Sequence, residues 1–221
     1  MSGLAIILRR ELSLSWAGGG GPLLALGFFV AISSLMPLAL GADAPRLAQA
    51  APGIAWLVLA LASLISLERM FERDYEDGAL DLIALGPAPL ELVAFAKAIA
   101  EWISTQAPLA FAAPVILAAL GAPWRLAPVT IAAGLVGGLG FAFVGGIGAA
   151  LSLGSRRGGV LIALIVLPLF TPPVIFGAGA IEAFAAGLDW RTPLLLLSAY
   201  GLAAAALSPF AMAAAARNAL S

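Results

Sequence analysis

Between Pro22 and Gly41 the chain runs for twenty residues without a charge. About 20 apolar residues are what a helix needs to cross the hydrocarbon core of a bilayer. Apolar runs recur at 52–67, 92–120, 126–153, 158–180 and 193–216, free of charge except for Lys97 and Glu101 in the second of these. Only helices and closed barrels satisfy their own backbone hydrogen bonds in lipid, and runs of this length suit helices. The reading is an all-α polytopic membrane protein with six transmembrane helices in a single transmembrane domain, 1–221. Composition agrees: 62% of residues are hydrophobic and 10% charged, against about 25% charged in soluble domains, and the mean hydropathy is +1.08.

Several function classes fall away at once. The net charge is −1, so no basic field is available to attract nucleic acid. Cysteine and histidine are both absent. Disulfides, thiolate metal sites, the commonest general base and the usual axial ligand of haem iron go with them. Neither a GxxxxGK[ST] phosphate loop nor HExxH occurs, and Gly137-Gly138-Leu139-Gly140 reads as helix packing. Met36 could bind iron in principle, although packing is the usual role of a methionine. The chain is therefore read as no enzyme by itself, with no catalytic residue and no metal site. Any energy that drives it comes from another subunit.

Ahead of the first span, Leu4, Ile7, Leu8, Leu12 and Trp16 recur at helical spacing around Arg9, Arg10 and Glu11. Residues 3–16 are expected to form an amphipathic helix in the membrane interface. Arg9 and Arg10 follow an apolar stretch, so the segment does not read as a cleavable signal. Gly41, Asp43, Pro45 and Arg46 form a short polar link. Pro108 and Pro114 are expected to bend the third span. The fourth is rich in glycine, and its Gly134 and Gly138 stand four apart; this serves tight packing within one subunit or a dimer seam. In the fifth, Pro168, Pro172 and Pro173 predict a main helix to about Phe170, followed by a broken or re-entrant piece reaching Phe184.

Basic residues set the orientation. With the N-terminus inside, Arg9, Arg10, Arg69, Arg73, Lys97, Arg156, Arg157 and Arg217 lie inside and Arg46, Arg125 and Arg191 outside, 8 against 3 of the 11. Six crossings return the C-terminus to the cytoplasm as well.

The rarity of charge makes the segment 68–89 informative. It holds Glu68, Glu72, Asp74, Glu76, Asp77 and Asp81, half of the chain's 12 acidic residues, with Arg69 and Arg73 among them. The second span is expected to continue as a polar helix through Glu68, Arg69, Glu72 and Arg73. Asp77-Gly78 signals a turn, Asp77 would cap a short helix over 79–85, and Gly86-Pro87-Ala88-Pro89 stops it. Leu80, Leu82, Ile83 and Leu85 would then be available to dock in a partner's groove, unless the segment is a solvated loop. A second cytoplasmic link, Gly154 to Gly159, carries Arg156 and Arg157, which contact a partner or simply anchor the chain. Within the spans, Lys97 and Glu101 are expected to pair on the third, and Glu182 lies near the outer end of the fifth. No relay of carboxylates suited to proton or sodium coupling is evident.

The motif Leu67-Glu68-Arg69-Met70-Phe71, then Asp74, Asp77-Gly78-Ala79-Leu80, Leu85-Gly86-Pro87-Ala88-Pro89 and Lys97 resembles the membrane subunits of ABC-2 type exporters. More specifically it is similar to the haem exporter protein B family, CcmB, of cytochrome c maturation. Supporting stretches are Ala51–Trp56, Gly154–Val160, Leu167–Leu169 and Leu207–Ala211, and the likeness covers nearly the whole chain. The resemblance implies an ABC-2 (type V exporter-like) fold in the bacterial inner membrane. It implies two copies paired with two ATP-binding subunits, CcmA, together with CcmC, CcmD and the haem chaperone CcmE. ATP would be hydrolysed on the partner, haem would be present in the complex, and hydrolysis would serve haem handling or release of loaded chaperone. The segment around Asp77–Leu85 would be the coupling helix, with Glu68, Arg69, Arg73, Asp74, Asp77, Gly78, Leu80, Asp81 and Leu82 as its contact set. A permease for another lipid or small hydrophobic substrate shares these features, and a membrane scaffold without an ATPase is the remaining reading.

Overall fold

A computed structural model describes residues 3–17, 21–41, 43–155 and 158–220. Among them there are ten α-helices and no strand: α1 (Gly3–Ala17), α2 (Gly21–Leu40), α3 (Ala44–Leu67), α4 (Arg69–Glu76), α5 (Ala79–Ala84), α6 (Leu90–Glu101), α7 (Ala107–Ala119), α8 (Ala127–Leu151), α9 (Gly158–Ala185) and α10 (Arg191–Ala219). Six helical segments are long and apolar enough to cross a membrane: α2, α3 running on into α4, α6 with α7, α8, α9 and α10.

The second of these starts earlier than its hydropathy suggested. Asp43 closes the N-terminus of α3, accepting from the Arg46 amide at 3.4 Å, and Pro45 occupies the first turn, where its missing N–H costs nothing. Pro52 then lies inside the helix, buried.

In the third, α6 and α7 are joined by a π-helical turn, Trp102–Gln106. The Ala107 amide donates five residues back, to the Trp102 carbonyl, just before Pro108. The wider register absorbs the donor that proline lacks. Trp102 Nε1 fixes the turn by donating to the Leu135 carbonyl of α8 at 2.8 Å.

The expected break in the fifth span is absent, since α9 is continuous from Gly158 to Ala185. The compensation comes from outside the helix. Pro173 frees the carbonyl four residues earlier, that of Leu169, and Tyr200 Oη of α10 donates to this oxygen at 2.6 Å. A neighbouring helix thus supplies the hydrogen bond that lipid cannot.

Helix α8 is the centre of the bundle, packed by α3, α7, α9 and α10. Its glycines are matched to bulky neighbours. Trp56 of α3, 1% exposed, fills the space left by Gly137 of α8 and Gly177 of α9, where any added Cβ would overlap the indole. Phe141 lies 5.9 Å from Trp56 and 4.4 Å from Phe170, ring centre to ring centre. A Cβ on Gly134 or Gly138 would come within 2.8 Å of Ala110 or Gln106, respectively. This glycine pair therefore packs against α7 and the π turn within the chain.

Candidate coupling site at the charged end of the bundle

At Leu67 the apolar pattern of α3 gives way to Glu68-Arg69-Met70-Phe71-Glu72-Arg73-Asp74, and the chain turns at Glu68 into α4. Phe71 and Asp74 are three apart, on one face, and both are buried. Asp77 ends α4. Gly78 follows with φ +68°, a left-handed conformation that glycine adopts without a Cβ clash. Asp77 was expected to cap α5, but the residue at that position is Gly78 and α5 has no side-chain cap. The turn falls at Asp77-Gly78 as its signal implied, and the cap position lies one residue later than expected. Pro89, extended at ψ 139°, opens α6.

Four charges from three helices meet under α4. Lys97 Nζ of α6 donates to Glu11 Oε2 of α1 at 2.9 Å, to Asp74 Oδ2 and to the Met70 carbonyl at 3.1 Å. Arg10 of α1 binds Asp74 Oδ1 at 2.6 Å and Glu11 Oε1 at 2.5 Å. Glu11, Asp74 and Lys97 are buried. Two positive and two negative charges thus neutralise one another with their hydrogen-bonding capacity largely used. The Asp74 hydrogen bond raises the Arg10 guanidinium further above its already high range. Arg73 adds a bond from its Nη1 to the Leu14 carbonyl, 3.3 Å. Helix α1 is therefore locked to α4 and α6 by ion pairs as well as by its apolar stripe.

The anticipated Lys97–Glu101 pair does not form. All three ammonium hydrogens of Lys97 are taken elsewhere, and Glu101 instead meets Ser66 Oγ of α3 at 2.5 Å. Lys97 and Glu101 do share a face of α6, but the partners α1 and α4 bring to Lys97 are better placed.

Of the expected contact residues, the structure keeps Glu68, Arg69, Arg73, Asp77, Asp81 and Leu82 exposed at this end, with Gly78 half-buried. Two others face inward. Asp74 belongs to the ionic cluster, and Leu80 is 0% exposed, holding α5 onto the bundle. Leu82 and Leu85 point away from it, 73% and 85% exposed. Arg156 and Arg157 lie outside the described residues. Arg10 and Glu11 are the members that sequence reasoning did not join to the segment, and Lys97, part of the same motif, was paired with Glu101 instead. One signal was present: Glu11, four residues after Ile7, interrupts the apolar stripe of α1 with a charge.

The C-terminus reaches the same end, where Arg217 of α10 binds Glu91 of α6 at 2.5 Å. Links at the other end carry Arg46 beside Asp43, Arg125 donating to the Ala185 carbonyl at 3.0 Å, and Arg191. Among the described residues, no group of three or more carboxylates could hold a metal ion.

The sequence places this arrangement in a family. Residues 2–219 match the family model described as CcmB protein. The chain is 46% identical over 211 residues to the haem exporter protein B of Paracoccus denitrificans, covering 96% of this chain and 97% of that one. It is 39% identical over 221 residues to the protein of that name from Bradyrhizobium diazoefficiens, covering both chains in full. Against the Escherichia coli K12 protein it is 38% identical over 211 residues, covering 96% of each. Matches of this extent, across every helix of the bundle, make the chain a member of the CcmB family of haem exporter proteins.

Proposed function

We propose that this chain is the membrane subunit of an ATP-driven complex that handles haem for c-type cytochrome maturation, and that α5 is where a partner ATPase seats. The bundle carries no nucleotide loop and no histidine, so its part is mechanical. The observation that carries the reading is the form of α5. Leu80 is buried and anchors it, while Leu82 and Leu85, three apart, project from its outer side with Asp81 beside them. A short helix with an outward apolar pair fits a hydrophobic groove on a soluble partner. Glu76, Asp77 and Asp81 add an acidic border suited to basic residues on the groove's rim.

In this reading the groove belongs to the ATP-binding subunit CcmA, with two copies of each chain, and CcmC, CcmD and the chaperone CcmE complete the assembly. Both termini lie in the cytoplasm of a bacterial inner membrane, which the basic-residue bias supports. So does the gathering of α1, α5 and the end of α10 at one pole of the bundle. ATP hydrolysed on CcmA drives movement of α5, and haem-loaded chaperone is released.

The test is purification of the complex in mild detergent. The chain should bring down an ATP-binding subunit with measurable ATPase activity. Leu82→Asp with Leu85→Asp should abolish that association and leave the thermal midpoint of the isolated chain unchanged, because neither side chain supports the core. Normal association of the double variant would refute the reading.

A further inference from the structure

A cavity of about 390 Å³ opens between α1, the start of α2, α4 and α6, and it reaches Glu101 at the end of α6 and Ser66 of α3. Glu101 is buried and makes no ion pair among the described residues. The hydrogens there can be counted. Ser66 Oγ lies 3.0 Å from the Ser63 carbonyl oxygen and 2.5 Å from Glu101 Oε1. A hydroxyl has one hydrogen to give and a carbonyl oxygen has none. If Ser66 donates to Ser63, the short contact with Glu101 needs a hydrogen on the carboxyl. The protonated acid lets Ser66 keep both contacts, whereas the ionised one makes Ser66 choose between Ser63 and Glu101. An ionised carboxylate without a counter-charge would also be costly to bury.

The next turn of the helix is polar as well. Ser104 Oγ, Thr105 Oγ1 and Gln106 Nε2 of the π turn are buried without a full hydrogen bond to protein, the situation in which ordered water is found, and Thr105 and Gln106 also face Glu101. The charged groups on the remaining cavity wall do not compensate Glu101. Lys97 of α6 is committed to Glu11 of α1 and Asp74 of α4. Arg73 of α4 is bound to the Leu14 carbonyl, and α4 adds Arg69, Glu72 and Glu76 towards the mouth. Helix α2 contributes only Gly21 and Pro22.

We propose that Glu101 is a proton-binding site, loaded through this cavity from the charged end of the bundle, whose proton ties α6 to α3 through Ser66. One ionisable group is involved, so the site binds and releases a proton without forming a relay across the membrane. Loss of the proton removes the donor between the two helices and leaves a carboxylate facing a serine that must turn from Ser63 to meet it. The α3–α6 contact beside the π turn is then weakened. The proposal is independent of ATP coupling.

The experiment is infrared difference spectroscopy of the full-length protein in lipid nanodiscs, wild type against Glu101→Gln. Glutamine preserves the shape and places an amide N–H where the acid O–H stood, so the variant should fold. The expected difference is one protonated-carboxyl stretch, present in wild type and missing from the variant. It should move to lower frequency when the water is exchanged for D₂O, because the cavity admits solvent. Ser66→Ala provides a second reading with Glu101 in place: the band should persist and rise in frequency as its hydrogen bond is lost. A difference spectrum showing only ionised-carboxylate bands, with or without added sodium, would overturn the proposal. A band that never responds to D₂O would overturn loading through the cavity.

Discussion

Replacement of Lys97 by methionine isolates what the ionic cluster contributes. The side chain keeps its length and its packing near Phe71, whose ring centre lies 5.5 Å from Nζ. The charge balance changes from two of each sign to two carboxylates against Arg10 alone. Both carboxylates are buried, Glu11 at 7% and Asp74 at 4% exposure. Removing one partner of a buried ion pair costs about 3–5 kcal/mol, and the added apolar burial of methionine returns about 1 kcal/mol. A net loss of about 3 kcal/mol follows, roughly a hundredfold in the folding equilibrium. Arg10→Met leaves the same two carboxylates against Lys97 alone but should cost less, about 1–2 kcal/mol, because its side chain is 39% exposed and water can replace it. Lys97→Met combined with Glu11→Gln and Asp74→Asn should recover much of the loss, since the buried charges are then all removed and the charge that remains, on Arg10, is on a side chain 39% exposed to solvent. Unfolding in mixed detergent micelles gives the three free energies, and protease cleavage near the N-terminus reports release of α1. Wild-type stability of Lys97→Met, or a triple variant no better than the single one, would refute the argument.

Leu80→Ala should destabilise the isolated chain by about 2–4 kcal/mol, whereas Leu82→Ala should leave its unfolding midpoint nearly unchanged. The difference lies in a 0% exposed anchor against a 73% exposed side chain. Gly177→Ala forces a methyl group into the Trp56 indole and should cost about 1–3 kcal/mol; adding Trp56→Phe should relieve part of it, a non-additivity that a double-mutant cycle measures. Gly78→Ala retains the fold at a cost of about 1 kcal/mol, from φ +68° alone, because open space surrounds the new methyl.

The six apolar helical segments were legible because lipid imposes one requirement, length without charge, and sequence displays it directly. The helix after Gly78 was legible for a different reason, since glycine and proline punctuate it on both sides. What escaped was every feature that depends on a partner distant in the chain. The prolines of α9 promised a break because the donor that repairs one of the freed carbonyls is a tyrosine on α10, 31 residues beyond it. Lys97 seemed to belong to Glu101 because local spacing places them together, yet Glu11 is 86 residues away and takes the bond. For the same reason Asp74 and Leu80 read as surface contacts, although each turns towards a neighbour that hydropathy could not name.

The inward turn of those two residues bears on how force could pass through the bundle. A surface helix moves other helices only if its own attachment is stiffer than the joints it must bend. Helices α4 and α5 are held from below by Leu80, by Phe71 and by an ionic cluster in which Asp74 is bonded to two different helices. The joints nearby are where the regular helix is interrupted. At Glu68 α3 gives way to α4 with the backbone still helical, φ −54° and ψ −37°, and at Trp102–Gln106 the third span changes hydrogen-bond register within a single turn. Push on Leu82 and Leu85, and α1, α4 and α6 respond as one body. The yielding points are then Glu68 and the π turn, and between them stands the Ser66–Glu101 contact. The charge that the rest of the chain avoids is concentrated where rigidity is needed, and the polar backbone irregularity lies where bending is.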